Sequence, residues 1–250
     1  MIEYHDPDPD PWRLPSPEPG GPIAVAVELR CPRVRDYGAA RLLHAALHAH
    51  WQIGHDQQSP YALALPRPAD PHLWLVCLRA ELLRRLPARV RIGRDTVDLS
   101  PGLRAILRAR PQRPAGEHRA VVRTLSPLVL RQSHSGVAGS HRRALQDQPS
   151  SLVGSLLQVG LRMGLDVRST DLVAEVASYQ LRRVEEREHD GLTVGGHWQV
   201  GDRRGRIACM EGWIAVRCNA PARWLLDCAE LLGLGSKTAL GFGRVLVEAA

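Results

Sequence analysis

Short strand-like runs alternate with a longer helix-like run in the first half of the chain, and this order limits the folds open to it. The run PIAVAVELR at 22–30 is apolar and predicts a strand. Residues 35–52 carry apolar side chains at helical spacing and predict a helix. YALALPR at 61–67 and HLWLVCLR at 72–79 predict a hairpin, because a proline-rich turn separates them. A helix-like turn and a strand around 90–98 complete the order β-α-β-β-α-β.

The second half of the chain opens with a strand and continues with helix-like segments. RAVVRTLSPLVLR at 119–131 predicts a strand that its Ser-Pro pair interrupts. Residues 151–189 predict mostly helix. Ser169 or Thr170 would be the N-cap of a second helix in this region.

The end of the chain predicts further strands and one more helix. GHWQVGD at 196–202 and GRIACMEGWIAVRC at 205–218 predict a twisted hairpin. PARWLLDCAELLGLG at 221–235 predicts a helix that glycine ends, and GRVLVEAA at 243–250 predicts the last strand. The pattern therefore predicts an α+β fold of two tandem ferredoxin-like (RRM-like, βαββαβ) domains, with a helical insertion in the second at about 137–192.

The predicted domains follow from where the composition changes. Residues 1–21 contain too many prolines for a helix or a central strand, so we expect an extended, mobile arm there. The N-terminal ferredoxin-like domain would then occupy 22–110, and RARPQRPAGEHR at 108–119 would connect it to the C-terminal domain at 119–250. A chain of 250 residues is long enough for one large domain or two small ones.

The charge of the chain favours a polyanionic partner. The formal net charge is +7 and the isoelectric point is near 9.7, so nucleic acid is the first candidate. Every cationic side chain except Lys237 is an arginine. Arginine binds phosphate through two hydrogen bonds, but the same bias also arises from GC-rich codons, so the preference for arginine carries less weight than the charge.

The cysteines and the hydropathy pattern indicate a soluble cytoplasmic protein. The five cysteines form no CxxC pair, which favours reduced thiols over a disulfide framework or a zinc site. No apolar run approaches about 18 residues, so we expect no membrane partner. We also expect no metal and no cofactor, because no ligand set with recognisable spacing occurs.

A glycine-rich loop, GLGSKTALGFG at 233–243, precedes the last strand. It differs from a nucleotide-binding P-loop, because Ser236 precedes Lys237 and a strand follows where that motif requires a helix. The simpler interpretation is a tight loop in which glycine permits positive φ and close backbone packing.

Three stretches resemble the CRISPR RAMP superfamily, in particular the endoribonucleases that process precursor CRISPR RNA. They are GLGSKTALGFGRVLVE at 233–248, VVRTLSPLVLR at 121–131, and LLHAALHAHWQIGHDQQSPYALAL at 42–65. The resemblance implies that an RNA stem-loop binds across both domains and is cleaved without metal at the base of the stem. The 2'-hydroxyl would attack the adjacent phosphate, leaving a cyclic phosphate and a 5'-hydroxyl. The resemblance also implies that the enzyme keeps its product and joins other CRISPR effector subunits.

The resemblance and the chemistry nominate catalytic candidates. This reaction needs a base, an acid and positive charge, and histidine suits either proton-transfer role. His55 is the first choice by its place in the loop before Pro60, and His44 on the predicted helix is the second. His48 shares a helix face with His44, a pair that alone would suit a metal. Where members of the family carry a lysine, this chain offers Tyr61. The charge-stabilising candidates are Arg30 and Arg41, with Arg33 and Arg35 as neighbours.

The RNA-binding candidates lie in the glycine-rich loop and in two basic clusters. Glycine would let backbone amides approach phosphates, and Lys237 would add a charge. The candidates are Gly235, Ser236, Lys237, Thr238, Gly241 and Gly243 in the loop, and Arg142, Arg143, Arg203, Arg204 and Arg206 in the clusters. Each basic cluster is equally consistent with a solvated surface. The helices predicted at 151–189 either grip the RNA stem or expose a charged face.

Two other functions stay open at this point. The first is a non-catalytic RAMP subunit that binds guide RNA in an effector complex. The second is a basic RNA-binding protein outside CRISPR systems, against which the C-terminal motif argues. The arginine bias and the insertion also suit a type IV-like member.

Overall fold

The structure is a computed structural model of the chain. It describes residues 2–4, 22–30, 37–53, 59–64, 73–79, 82, 89–92, 95–98, 102–108, 116–133, 143–145, 152–184, 187–189, 192–194, 197–200, 203–206, 209–236 and 238–250.

The first half of the chain forms a five-stranded antiparallel sheet, one helix and a separate hairpin. The elements are β1 (Ile2–Tyr4), β2 (Pro22–Arg30), α1 (Tyr37–Trp51), β3 (Tyr61–Ala64), β4 (Leu73–Arg79), β5 (Arg89–Ile92), β6 (Asp95–Asp98) and β7 (Gly102–Arg108). The strand order in the sheet is β1-β7-β2-β4-β3, while β5 pairs with β6 in a separate two-stranded sheet. The predicted strand at 22–30, the helix within 35–52 and the hairpin of β3 with β4 are confirmed.

The strand expected around 90–98 is a two-stranded hairpin outside the sheet. Its register sets Arg89 opposite Asp98 and Val90 opposite Val97. Val90 is buried and β5 lies against α1, so this hairpin packs on the helix instead of pairing with the sheet. The strand that joins the sheet beside β2 is instead GLRAILR at 102–108, part of which was expected to begin the connection between domains.

The N-terminal arm contributes one short strand. Ile2–Tyr4 pairs with β7, with Ile2 opposite Leu107, so this part of the predicted arm belongs to the sheet. The remaining residues of the arm, 5–21, lie outside the described residues.

The second half of the chain forms a four-stranded antiparallel sheet with two helices. Its elements are β8 (His118–Thr124), β9 (Arg131–Ser133), β10 (Arg143–Leu145), α2 (Val153–Arg162), β11 (Ala174–Val184), β12 (Arg187–His189), β13 (Leu192–Val194), β14 (His197–Val200), β15 (Arg203–Arg206), β16 (Cys209–Cys218), α3 (Ala220–Leu232) and β17 (Val245–Ala249). The strand order is β11-β16-β8-β17, and β9-β10, β12-β13 and β14-β15 are separate hairpins.

Both helices of the second half cover one face of its sheet. Val122 of β8 and Ile214 of β16 are fully buried in the same core as Leu156 of α2 and Leu226 of α3. The predicted helix at 221–235 is confirmed as α3. It begins after Asn219, whose side-chain oxygen accepts a hydrogen bond from the third residue of the helix, and it ends at a glycine.

The second predicted helix of this half is a strand. Residues 174–184 pair antiparallel with β16, from Ala174 opposite Cys218 to Val184 opposite Cys209, with one bulge after Val176. Pairing along an entire neighbouring strand outweighs the moderate helix propensity of AEVASYQLRRV. Among the described residues of the expected insertion at 137–192, α2 is the one α-helix. The predicted N-cap residues belong to a short 3-10 turn, Ser169–Asp171, that precedes β11.

The predicted pairing of 196–202 with the whole of 205–218 is wrong. β14 pairs with β15, whereas β16 pairs with β11 and β8 inside the sheet.

The two halves of the chain are in contact. Ala62 of β3 belongs to the core of the second half, and α3 lies against both β3 and β4. Among the described residues, each helix is too short or too polar to cross a bilayer.

Candidate active site

One face of α1 carries two histidines whose rings touch. His44 and His48 are both half-buried, and their ring centres lie 4.1 Å apart. A hydroxyl at the start of β3 meets each ring: the Tyr61 hydroxyl lies 2.7 Å from His44 Nδ1, and Ser59 Oγ lies 2.8 Å from His48 Nε2. We call these four residues the histidine cluster. The hydroxyls hold both imidazoles in defined orientations.

Tyr61 is the buried centre of this cluster. Its side chain is fully buried, and its ring centre lies 5.3 Å from that of Trp51. Burial raises the pKa of Tyr61 well above its usual value, and a hydrogen bond with Ser59 opposes this increase to a smaller extent. The phenol therefore stays protonated at ordinary pH and lies where a substrate does not reach it.

The glycines of the C-terminal loop serve packing within the protein. Gly235 has φ 81° and Gly243 has φ 75°, both in the left-handed region. A Cβ on Gly235 would lie 2.7 Å from the carbonyl oxygen of Val129, and a Cβ on Gly243 would meet the carbonyl of Leu234. The interpretation of 233–243 as a tight loop with close backbone packing is confirmed.

Several amides of this loop donate to carbonyl oxygens within the protein. The Ser236 amide donates to Val129 at 2.9 Å, and the Gly243 amide donates to Pro127 at 2.8 Å. The amides of Leu234 and Gly241 are also donors inside the loop. In this conformation, the loop directs these N–H groups inward rather than toward a ligand.

A short turn brings the loop to the histidine cluster. The 3-10 turn Thr238–Leu240 lies against β3 and α1, the two elements that carry Tyr61 and His44. Thr238 is 3% exposed and Ala239 is 8% exposed, so the turn is packed into this junction. The fold thus places the loop and the predicted catalytic histidine side by side.

The predicted RNA-binding positions of the loop differ in exposure. Gly235, Thr238, Gly241 and Gly243 are buried, whereas Ser236 is half-buried. Ser236 is therefore the described candidate at which the loop reaches the surface.

The structure describes only the backbone of some predicted site residues. Arg30 is the last residue of β2 and Arg41 lies in the first half of α1. The basic clusters fall on hairpins, with Arg143 in β10 and Arg203, Arg204 and Arg206 in β15. The predicted residues His55, Lys237 and Arg142 lie outside the described residues.

The sequence reasoning missed Arg162, a buried cation beside the loop. Its side chain is 3% exposed and donates hydrogen bonds to the carbonyl oxygens of Leu232, Gly233 and Gly235. Burial lowers the pKa of Arg162 to about 10. A signal was present in the sequence, since an arginine in the last turn of α2 falls on the same face as apolar Val159 and Leu156.

Within the described part of the chain, no group of three or more His, Cys, Asp and Glu residues is arranged to hold a metal ion.

Comparison with known proteins finds similarity in structure rather than in sequence. No protein-family model and no curated protein matches the chain. A Cas6 of Thermus thermophilus, solved as a product complex, is 20% identical with a TM-score of 0.52, and the match covers 90% of this chain and 99% of that one. A second Cas6 product complex is also 20% identical with a TM-score of 0.52, and the coverage is again 90% and 99%. The mixed helix and antiparallel-sheet architecture of this chain is therefore the Cas6 fold.

Proposed function

We propose that the chain is a metal-independent endoribonuclease that cleaves CRISPR repeat RNA at the base of a stem-loop. The observation that carries this proposal is the contact between His44 and His48, beside the turn of the C-terminal loop. RNA cleavage requires a base and an acid, and this contact places two imidazoles, each able to act as either, beside the loop. The similar solved structures are Cas6 product complexes, which agrees with an enzyme of this class.

The proposed reaction is an internal transfer at one phosphodiester. A base removes the proton of a 2'-hydroxyl, whose oxygen attacks the adjacent phosphorus. The bond from phosphorus to the 5'-oxygen breaks, and an acid protonates this leaving oxygen. The products are a 2',3'-cyclic phosphate and a 5'-hydroxyl. This reaction consumes no water molecule and requires no metal ion. A neutral imidazole suits the base and an imidazolium suits the acid.

His44 is our first candidate for one of the two proton transfers. Tyr61 holds His44 through Nδ1, so the phenol sets the orientation of the ring that we propose exchanges a proton with RNA. Tyr61 itself stays protonated and buried, so we assign it the orientation of His44 rather than a contact with substrate. His55 remains a predicted partner in the loop that follows α1.

Positive charge would stabilise the phosphorane that forms during attack. Arg30 ends β2 and Arg41 belongs to α1, so both are on elements of the half that carries the histidines. Lys237 adjoins Ser236, the half-buried position of the loop. We propose that Ser236 and Lys237 make the contact of the loop with RNA, since other loop amides donate within the protein.

The RNA would be recognised by shape across two ferredoxin-like units. A ferredoxin-like βαββαβ unit has its first strand between its third and fourth strands. The orders β7-β2-β4-β3 within the first sheet and β17-β8-β16-β11 in the second support the proposal of two such units. A-form RNA hides its base edges in a deep, narrow major groove, so proteins recognise it through its phosphates and the 2'-hydroxyls of the minor groove. The basic hairpins β9-β10 and β14-β15 would contact these phosphates, and we propose that the enzyme retains its product in the cytoplasm and joins other effector subunits.

The decisive experiment is cleavage in the absence of metal. Pure protein is incubated in EDTA with CRISPR repeat RNAs, including the repeat of its own genome, and with the same RNAs carrying one 2'-deoxy sugar at the cut site. We expect cleavage of the all-ribose RNA, a cyclic phosphate on its product, and no cleavage of the deoxy RNA. Cleavage that EDTA abolishes, or that proceeds at the deoxy sugar, contradicts the proposed mechanism.

His44→Ala tests the residue that we place at the reaction. We expect the single-turnover rate to fall by about 10²–10⁴, because one proton-transfer group is lost. His50→Ala is the matched control, since His50 is an exposed histidine in the last turn of the same helix. A His44→Ala protein that is folded and cleaves at the rate of the His50→Ala protein would remove His44 from the mechanism.

A second function, a RAMP subunit that only binds guide RNA, is favoured by one observation. Both imidazoles of the cluster already hold hydrogen bonds to hydroxyls of the protein, as packed structural histidines do. Tight binding of repeat RNA without cleavage in the experiment above would support this function.

A further inference from the structure

We propose that Arg162 is a positioning residue that holds the C-terminal loop against the histidine cluster. This inference rests on the proposed function, and it concerns a residue that contacts neither the histidines nor, in our proposal, the RNA.

The first argument is the set of hydrogen bonds that Arg162 makes. Nη1 donates to the carbonyl oxygens of Leu232 at 3.3 Å and Gly233 at 2.9 Å, and Nη2 donates to that of Gly235 at 2.7 Å. One planar guanidinium thus joins the last residue of α3, its C-cap and the start of the loop. The geometry of the fork fixes these three backbone positions relative to the end of α2.

The second argument is electrostatic. A buried guanidinium is costly unless hydrogen bonds surround it. Its pKa of about 10 is still far above neutrality, so Arg162 is charged under physiological conditions. The carbonyls at the C-terminal end of α3 carry a partial negative charge and lack N–H donors within the helix, so they stabilise this cation. The buried charge of Arg162 is therefore stabilised by the arrangement in which these three carbonyl groups face it.

The third argument links the fixed backbone to the proposed site. From Gly235 the loop continues through Ser236, which bonds Val129, to the turn Thr238–Leu240 that lies against α1 and β3. The far end of the loop is held separately, because the Ser126 hydroxyl donates to Gly241. Loss of the Arg162 clamp would remove three hydrogen bonds that hold the near end of the loop, and we expect the turn then to shift relative to His44 and Tyr61.

The chain contains a matched control for this residue. Arg223 is also buried, at 6% exposure, and it also donates to two main-chain carbonyl oxygens, those of Arg119 and Glu248. Its remaining partner is Asp227 on the same helix. These bonds join α3 to β8 and β17 and not to the loop, so Arg223 shares the burial and the chemistry of Arg162 but not its proposed role.

The experiment compares Arg162→Lys with Arg223→Lys in the full chain. Lysine keeps the charge but does not span three carbonyl groups. We expect both variants to lower the melting temperature. Only Arg162→Lys should lower the single-turnover rate at saturating repeat RNA, by about 10- to 100-fold, because small displacements of a reacting group have effects of this size. Rates are measured at a temperature at which both variants are fully folded. Equal rates for the two variants would overturn the proposal.

A second readout does not depend on cleavage. Hydrogen exchange at the Ser236 and Gly243 amides, and the imidazole resonances of His44, report the loop and the cluster directly. We expect faster exchange and shifted resonances in Arg162→Lys but not in Arg223→Lys. Unchanged exchange and resonances overturn the proposal even if the wild-type protein fails to cleave RNA, an outcome that would reject the proposed function alone. If Arg162→Lys does not fold, Arg162→Gln is compared in the same way.

Discussion

The Tyr61 hydroxyl has one proton, and two of the acceptors within its reach belong to His44. One is Nδ1 at 2.7 Å and the other is the carbonyl oxygen at 3.3 Å. When His44 is neutral with its proton on Nε2, Nδ1 accepts the hydroxyl proton. When His44 is an imidazolium, Nδ1 donates and the hydroxyl turns to the carbonyl. Neither protonation state leaves a buried polar atom unpaired, which suits a histidine that gains and loses a proton.

Tyr61 also makes the free energy of unfolding depend on pH in the alkaline range. Its pKa is raised in the folded state, whereas in the unfolded chain it is about 10. Above that pH the unfolded chain loses a proton that the folded protein keeps, so the contribution of Tyr61 to stability is complete below pH 10 and is lost as the pH rises. We expect the difference in unfolding free energy between wild type and Tyr61→Phe to shrink by about 1.4 kcal/mol per pH unit above pH 10.

Urea denaturation of both proteins between pH 7 and pH 11 measures this difference. Between pH 7 and pH 9 it should be constant, which serves as the internal control. A difference that stays constant up to pH 11 would show that the phenol of Tyr61 ionises as easily in the folded protein as in the unfolded chain.

At the scale of elements, the C-terminal loop depends on glycine for its contacts within the protein. Alanine at position 235 would have to adopt φ near 81° with its Cβ against the carbonyl oxygen of Val129. We expect Gly235→Ala to lower the free energy of unfolding by at least roughly 1–3 kcal/mol. Gly154→Ala is the control, because Gly154 lies in α2 with open space around it, and alanine there should raise stability by about 0.4–1 kcal/mol. Urea denaturation measures both effects. If both variants have midpoints below that of wild type, or both above it, the proposed dependence of the loop on glycine is contradicted.

Some elements could be predicted from the sequence because one local pattern determines them. The apolar run at 22–30 coincides with β2, and the Ala- and Leu-rich run with α1. β11 could not be predicted in this way, because its strand conformation depends on pairing with β16, which lies later in the chain. The strand β7 was missed because its last residues adjoin a proline-rich stretch that indicates a connection.

The candidate site could likewise be predicted only where a local stretch of sequence indicates it. His44 and Tyr61 were both nominated from the resemblance of the segment 42–65 to the RAMP family, and the structure joins them by a hydrogen bond. The pairing of His48 with Ser59 and the clamp of Arg162 depend on side-chain packing that no local spacing encodes. The glycines of the C-terminal loop made it recognisable in the sequence. They did not predict that several of its amides donate to carbonyl oxygens within the protein.

At the scale of the whole molecule, the net charge of +7 should govern how tightly RNA binds. Each phosphate that a cationic side chain neutralises releases a counterion, so affinity falls as salt rises. We expect the Kd for repeat RNA to rise at least about tenfold between 50 and 200 mM salt. Filter binding with the 2'-deoxy RNA should give the same slope, because this contribution does not depend on the 2'-hydroxyl. A Kd that is independent of salt would contradict phosphate recognition.

The position of β8 has a consequence for biosynthesis. It lies between β16 and β17, both of which follow it in the chain, and β17 pairs with it from Val245 opposite Thr124 to Ala249 opposite Ala120. During translation, β8 is synthesised long before β16 and β17. Both edges of this strand therefore stay unpaired until those two strands have been made. The nascent chain thus presents an unpaired strand to chaperones and to other chains, and slow translation of the segment before β16 would prolong this exposure.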